Sequence, residues 1–88
     1  MIGVTGEVDE ALRQLCELLP VHERVLGPDH PDTLATRRYI AAYTAKTGDA
    51  REALRLFRAL LPDEERKQGP DHPDTLEVRA HIAKLDSQ

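Results

Sequence analysis

Apolar residues recur with the period of an amphipathic helix in two segments of the chain. Arg and Glu fill most of the positions between them. In the first segment the apolar positions follow an i, i+1, i+4, i+7, i+8 pattern, and 42 residues later the second segment repeats it. The two sets are Ala11, Leu12, Leu15, Leu18, Leu19 and Ala53, Leu54, Phe57, Leu60, Leu61. The pattern predicts two helices, each with one apolar stripe.

The same 42-residue spacing relates the first half of the chain to the second half. Residues 27–34 and 69–76 both read GPDHPDTL, and residues 5–46 align with residues 47–88 without a gap, with 22 identities in 42 pairs. A fixed period of roughly 20–50 residues is typical of solenoids, in which one supersecondary unit stacks on copies of itself. Such stacks form extended binding surfaces.

The GPDHPDTL segment carries the signals for the end of one helix and the start of the next. In the first copy Gly27 suits the left-handed conformation that ends a helix. Pro31 suits the first helical position, where no backbone N–H is needed, and Asp32 then lies in the first turn, at the positive end of the helix dipole. A second helix type therefore begins at each copy of this segment.

These signals predict four helices, at about 7–26, 31–46, 49–68 and 73–86, in one domain covering residues 1–88. Pro20 and Pro62 fall inside the first and third, so each of these helices either kinks or stops and restarts. A kink is favoured because apolar residues such as Val21 and Val25 continue the pattern beyond Pro20. Short connections force neighbouring helices to be antiparallel.

Composition narrows the function classes. Apolar residues make up 40% and charged residues 32%, a balance typical of a folded domain, and the net charge of −4 comes without a basic stripe for nucleic acid. The apolar runs are too short for a membrane span, and no signal peptide is visible at the N-terminus. The single cysteine, Cys16, fits a reducing compartment. We therefore expect a cytoplasmic protein.

The motifs together resemble those of the tetratricopeptide repeat. The DHPDTL helix start, the TGD turn and the EAL…LF helix are closest to the kinesin-light-chain type, which occurs in bacterial scaffolds and signalling NTPases. The resemblance implies an all-α fold, a right-handed α-solenoid of antiparallel helix pairs. It also implies a non-catalytic module that binds a protein or peptide and needs no cofactor. Ala41 and Ala53 match the family's small residues, and Phe57 matches its aromatic.

The resemblance also implies a concave binding surface on the helices that start at the DHPDTL segments. The Asn pair that grips peptide backbones in many such repeats is replaced here by Arg38-Tyr39 and Ala80-His81. We therefore do not expect capture through Asn. The predicted partner-binding residues are Arg38, Ala42, Lys46, Glu77 and Lys84.

The order of the helices leaves both ends of the stack open. Residues 1–4 align with residues 43–46, so the family's A and B helices are expected here in the order B, A, B, A. Self-association, as a dimer or head to tail, would cover the open faces through Ala11, Leu15, Leu18, Ile82 and Leu85. Alternatively, the chain is part of a longer repeat array acting as the sensor or interaction region of a bacterial signalling NTPase.

Residue types that could carry chemistry are present but poorly placed. His30 and His72 sit in matching loops about 16–20 Å apart, whereas zinc ligands lie about 2.0–2.3 Å from the metal, so the two cannot share an ion. Cys16 has no His or acidic partner placed by a motif, and Glu7, Glu10 and Glu17 are spread along one helix. We expect neither a metal site nor an enzyme.

Overall fold

The computed structural model describes residues 3–87 of the chain, and side chains from residue 7 onward. It contains four α-helices: α1 (Gly3–Val25), α2 (Pro31–Lys46), α3 (Ala50–Gln68) and α4 (Pro73–Asp86). Within the described residues there is no strand. Each helix packs against the next one along the chain, which confirms an all-α helical repeat. None of the four helices is long and apolar enough to cross a bilayer.

Both internal prolines lie within continuous helices. Pro20 is inside α1 and Pro62 is inside α3, so neither helix stops and restarts at its proline. Each proline lacks the N–H that would bond to the carbonyl four residues earlier. In α3 the turns before Pro62 are anchored because Phe57 and Leu60 are fully buried in the core, and the turn after it is anchored by the buried Glu64.

The start of α1 differs from the expected one. The helix begins at Gly3 rather than Glu7, and its backbone runs through the Thr5-Gly6 step that was expected to be a turn. In the second copy the matching turn closes the sixteen-residue helix α2, and Gly48 adopts φ +96° there. Met1 and Ile2 lie outside the described residues.

The two GPDHPD loops adopt the same conformation. Gly27 and Gly69 have φ values of 98° and 96°, a region that L side chains rarely adopt. The Gly69 N–H donates to the carbonyl of Glu65, and the Gly27 N–H reaches the carbonyls of His22 and Glu23. These bonds satisfy carbonyls at the ends of α1 and α3, and each glycine lies four residues before the proline at which the next helix begins.

The hydrophobic core lies between α2, α3 and α4. Its cluster of buried residues consists of Leu34, Ala41, Phe57, Leu60 and Val78. No described side chain of α1 is fully buried, although α1 carries the same apolar pattern as α3. The difference arises because α3 is packed between α2 and α4, whereas α1 packs against α2 alone among the described helices.

Candidate functional site

The histidines of the two DHPD segments are helix caps. The His30 Nδ1 accepts a hydrogen bond from the backbone N–H of Asp32 at 3.1 Å, and His72 does the same for Asp74 at 3.1 Å. Each histidine has an extended backbone and precedes the helical Pro, the geometry of an N-cap. Among residues 7–87 no group of three His, Cys, Asp or Glu is placed to hold a metal.

A concave groove lies between the C-terminal halves of the two A helices, α2 and α4. Its volume is about 350 Å³. It brings together three of the predicted partner-binding residues, Ala42, Lys46 and Lys84. The groove also takes in residues from the turn after α2 and from α4. The full lining is Ala42, Ala45, Lys46, Gly48, Ala50, His81, Lys84 and Leu85.

The two lysines give this groove its charge. Neither Lys46 nor Lys84 forms an ion pair with any described residue, whereas seven arginines of the chain do. The Lys46 ammonium lies 5.4 Å from the centre of the Tyr43 ring, a cation–π contact that leaves it accessible. The small side chains of Ala42 and Ala45 leave room for a backbone to approach. The groove can therefore accept an extended segment carrying carboxylates.

An aromatic stack forms the wall beside this groove. The rings of Phe57 in α3 and His81 in α4 are stacked, with centroids 4.7 Å apart and planes 5° apart. Phe57 is fully buried, and His81 separates it from the groove. Glu77, a further predicted partner-binding residue, lies one turn before His81 and carries an exposed carboxylate 3.6 Å from the His81 Nε2. It is outside the groove lining.

Arg38, the fifth predicted partner-binding residue, is engaged inside the protein. Its side chain is 13% exposed and donates from Nη1 to the fully buried carboxylate of Glu64 at 2.8 Å. The Asp74 carboxylate lies 3.4 Å from the same nitrogen, and Gln68 donates to both acids. This cluster ties α2 to α3 and α4. Arg38 therefore contributes to packing between helices, whereas Lys46 and Lys84 remain exposed on the groove.

The open face of α1 contains the three residues predicted for self-association on that helix. Ala11, Leu15 and Leu18 line a shallow depression of about 290 Å³, together with Gln14, Tyr39 and Tyr43. Leu18 is 41% exposed, whereas its counterpart Leu60 in α3 is 1% exposed. Val21 and Val25 extend the exposed apolar stripe by one and two turns. The burial of this stripe on α1 therefore differs from that of the matching face of α3.

The open face of α4 is less apolar and is displaced from the predicted residues. Ile82 and Leu85 are half-buried against the core, and Leu85 lines the groove. Leu76 is the exposed residue, at 48%, whereas its counterpart Leu34 is fully buried. Leu76 was not among the residues predicted from the sequence for this face. Asking which α2 positions touch α3 would have identified it.

The remaining candidate residues lie on a solvated helix surface. Arg13 pairs with Glu10 and Glu17 along α1, and its hydrogen bonds hold the pKa of Glu10 below the ordinary value. A carboxyl group with a lowered pKa is a poor general acid at neutral pH. Cys16 is a free, exposed thiol. These residues are therefore part of a solvent-exposed, charged surface of α1.

Stacked antiparallel helices with an open groove along one face define a helical-repeat protein of the kind that binds other proteins. A family model of the tetratricopeptide repeat matches residues 4–63. The chain belongs to this family, whose general role is protein–protein interaction. Comparison with curated proteins and with solved structures gives no match.

Proposed function

We propose that the chain is a non-catalytic, cytoplasmic scaffold module with two kinds of binding surface. The concave groove between α2 and α4 binds an extended acidic peptide segment, and the open faces of the terminal helices bind other copies of the chain. The observation that carries the first part is the pair of accessible lysines, Lys46 and Lys84, on a lining of small residues. The observation that carries the second is the exposed apolar stripe on α1.

The groove fits a short acidic segment better than a folded surface. Its lining spans only two A helices, so it accommodates a few residues of an extended chain. Each lysine ammonium can donate charge-assisted hydrogen bonds to a carboxylate. Because both lysines are solvent-exposed, each ion pair contributes about 0.2–1 kcal/mol and weakens with salt. We therefore expect a weak, salt-sensitive interaction.

Fluorescence anisotropy with a labelled Asp/Glu-rich decapeptide tests the groove. The matched neutral probe replaces each Asp with Asn and each Glu with Gln. Lys46→Ala and Lys84→Ala should each weaken binding of the acidic probe roughly two- to five-fold. The control Lys67→Ala removes an exposed lysine on α3, away from the groove, and should leave binding unchanged. Equal binding of both probes, or equal losses in all three variants, would refute the acidic-peptide proposal.

Sedimentation velocity across a concentration series tests self-association. If the apolar faces mediate contact, the weight-average mass should rise with concentration. Leu18→Glu should return the protein to monomer while far-UV circular dichroism stays unchanged, because Leu18 is part-exposed and the core does not depend on it. A monomer at every concentration up to high micromolar would refute self-association and leave the groove proposal standing.

A longer repeat array is the second candidate, in which the chain forms part of the sensor or interaction region of a bacterial signalling NTPase. The same exposed faces support it, because flanking repeats would cover α1 and α4 in the way that α2 and α4 cover α3. Extending the chain by further repeats at both ends should then abolish self-association. An extended chain that still associates as strongly would contradict this alternative.

A further inference from the structure

The chain contains an internal example of the contact that its two open faces lack. In the α2–α3 interface an A helix packs against the B helix that follows it, with Leu34 and Ala41 of α2 in one cluster with Phe57 and Leu60 of α3. The 42-residue repeat makes α4 the counterpart of α2, and α1 the counterpart of α3. The open face of α4 and the open face of α1 are therefore the two halves of one interface.

We infer that α4 of one copy packs on α1 of a second copy in the register of the α2–α3 contact. This inference rests on the proposed self-association and adds the identity of the surfaces and their alignment. In this register the exposed Leu76 takes the place of the buried Leu34, and the exposed Leu18 takes the place of the buried Leu60. Both apolar side chains gain the environment that their counterparts already have.

The α2–α3 contact is the template for the inferred contact between copies. At one ion pair of the template, α4 and α1 differ from it at both positions together. In the α2–α3 contact the Arg38 guanidinium neutralises the buried Glu64 carboxylate. At the same positions α4 carries Ala80 and α1 carries His22, so both charges are replaced together. A helix resembling α3, docked on α4, would bury a carboxylate opposite Ala80 without a cation, which is costly. The α4 face therefore fits α1 better than it fits another α3.

A second ion pair of the template is replaced by apolar surface. Arg37 pairs with Asp63 across the α2–α3 contact at 2.7 Å. The counterparts are Arg79, which is turned back to Glu65 at 2.8 Å, and the exposed Val21 of α1. With Val21 in place of an acid, this position of the contact between copies is apolar and needs no cation opposite it.

The third ion pair of the template has both members preserved. Arg66 of α3 pairs with Asp29, in the loop before α2, at 2.8 Å. Their counterparts, Arg24 in α1 and Asp71 in the loop before α4, form no ion pair with any residue from 7 to 87. In the inferred register Arg24 of one copy meets Asp71 of the next. This pair gives the contact a charge complementarity that fixes the alignment of the helices.

Complementation between two blocked variants tests the head-to-tail contact. Leu18→Glu blocks the α1 face and Leu76→Glu blocks the α4 face. Both leucines are part-exposed, so each variant should fold, which far-UV circular dichroism checks. In a head-to-tail contact each variant alone is monomeric, because a buried unpaired carboxylate weakens the contact at least about tenfold. An equimolar mixture then forms a heterodimer, because one variant retains α4 and the other retains α1.

Other outcomes overturn the inference and identify what replaces it. If one variant alone still dimerises and mixing adds nothing, the contact is a two-fold one between identical helices. If the mixture stays monomeric while the unmodified chain associates, a different surface mediates association. If the unmodified chain is itself monomeric, the proposed self-association is refuted. This result is distinguishable from the other two, in which the unmodified chain associates.

A charge exchange tests the register. Arg24→Asp and Asp71→Arg should each weaken association roughly two- to five-fold, and the double variant should restore it, because the exchanged pair meets across the contact. Arg51→Asp, which changes an exposed arginine outside the inferred interface, serves as the control for net charge. A double variant as weak as either single variant would overturn the α2–α3 register.

Discussion

Replacing Arg38 with alanine removes the guanidinium that neutralises a carboxylate in the interior of the protein. Glu64 is fully buried, and the Arg38 Nη1 lies 2.8 Å from one of its oxygens. Leaving one member of a buried ion pair without its partner costs about 3–5 kcal/mol. Gln68 still donates to Glu64 in the variant, so the lower end, about 3 kcal/mol, applies. For a domain of this size the free energy of unfolding is roughly 4–13 kcal/mol.

Urea unfolding followed by circular dichroism at low protein concentration measures this loss. A destabilisation of about 3 kcal/mol should also lower the Tm by roughly 12–24 °C. Arg79→Ala is the matched control. Arg79 occupies the position in α4 that corresponds to Arg37, the neighbour of Arg38 in α2, and its ion pair with Glu65 is largely exposed. It should cost about 0.5 kcal/mol.

The double variant Arg38→Ala/Glu64→Gln separates charge from packing. Glutamine keeps the shape of Glu64 and can still bond to Gln68, so the double variant should be more stable than Arg38→Ala alone. The reasoning is refuted if Arg38→Ala costs less than about 1 kcal/mol, the level of an exposed pair. It is also refuted if neutralising Glu64 recovers nothing.

Three further results follow from the contacts between and within the helices. The Arg37 guanidinium holds the pKa of Asp63 below its ordinary value of 3.8, so this stabilisation is complete above that pH and is lost as the pH falls below it. In Asp63→Asn the urea midpoint of unfolding should therefore fall less steeply as the pH is lowered, and an unchanged pH dependence would contradict this. His72→Ala should lower the free energy of unfolding by about 0.5–2 kcal/mol, whereas His72→Asn keeps the cap and should match the parent chain. Phe57→Ala should cost about 3–5 kcal/mol by thermal unfolding, because Phe57 is fully buried and stacked on His81. A loss below 1 kcal/mol would show that its neighbours collapse into the space.

Local signals were sufficient to predict most of the fold. Helices α2 and α4 begin at Pro31 and Pro73 because the fixed proline φ and the missing N–H suit a first helical position. The glycines of the loops end the preceding helices because their positive φ is costly for other residues. The start of α1 escaped prediction because the Thr5-Gly6 step was equated with the Thr47-Gly48 turn, whereas α1 is helical through Thr5 and Gly6. The histidine caps also escaped, because histidine is outside the usual set of capping residues.

The candidate site was predictable in part. The repeat register placed Ala42, Lys46 and Lys84 together, because residues at equivalent positions of parallel A helices share a face. It also placed Arg38 there, although Arg38 is held by Glu64. Glu64 lies one turn beyond Leu60 and Leu61 on the apolar stripe of α3. An acid at such a position requires a cation from a neighbouring helix, and this signal would have corrected the assignment.

If copies of this chain associate as proposed, the open stripe on α1 makes their assembly depend on the local concentration of the chain. Dilute molecules remain separate because joining two independent bodies costs several kcal/mol of translational and rotational freedom. A tether that held several copies on one carrier would raise their effective concentration toward the millimolar range and remove much of that cost. The exposed Leu18, Val21 and Val25 would then let recruitment alone switch the module from single units to a continuous rod.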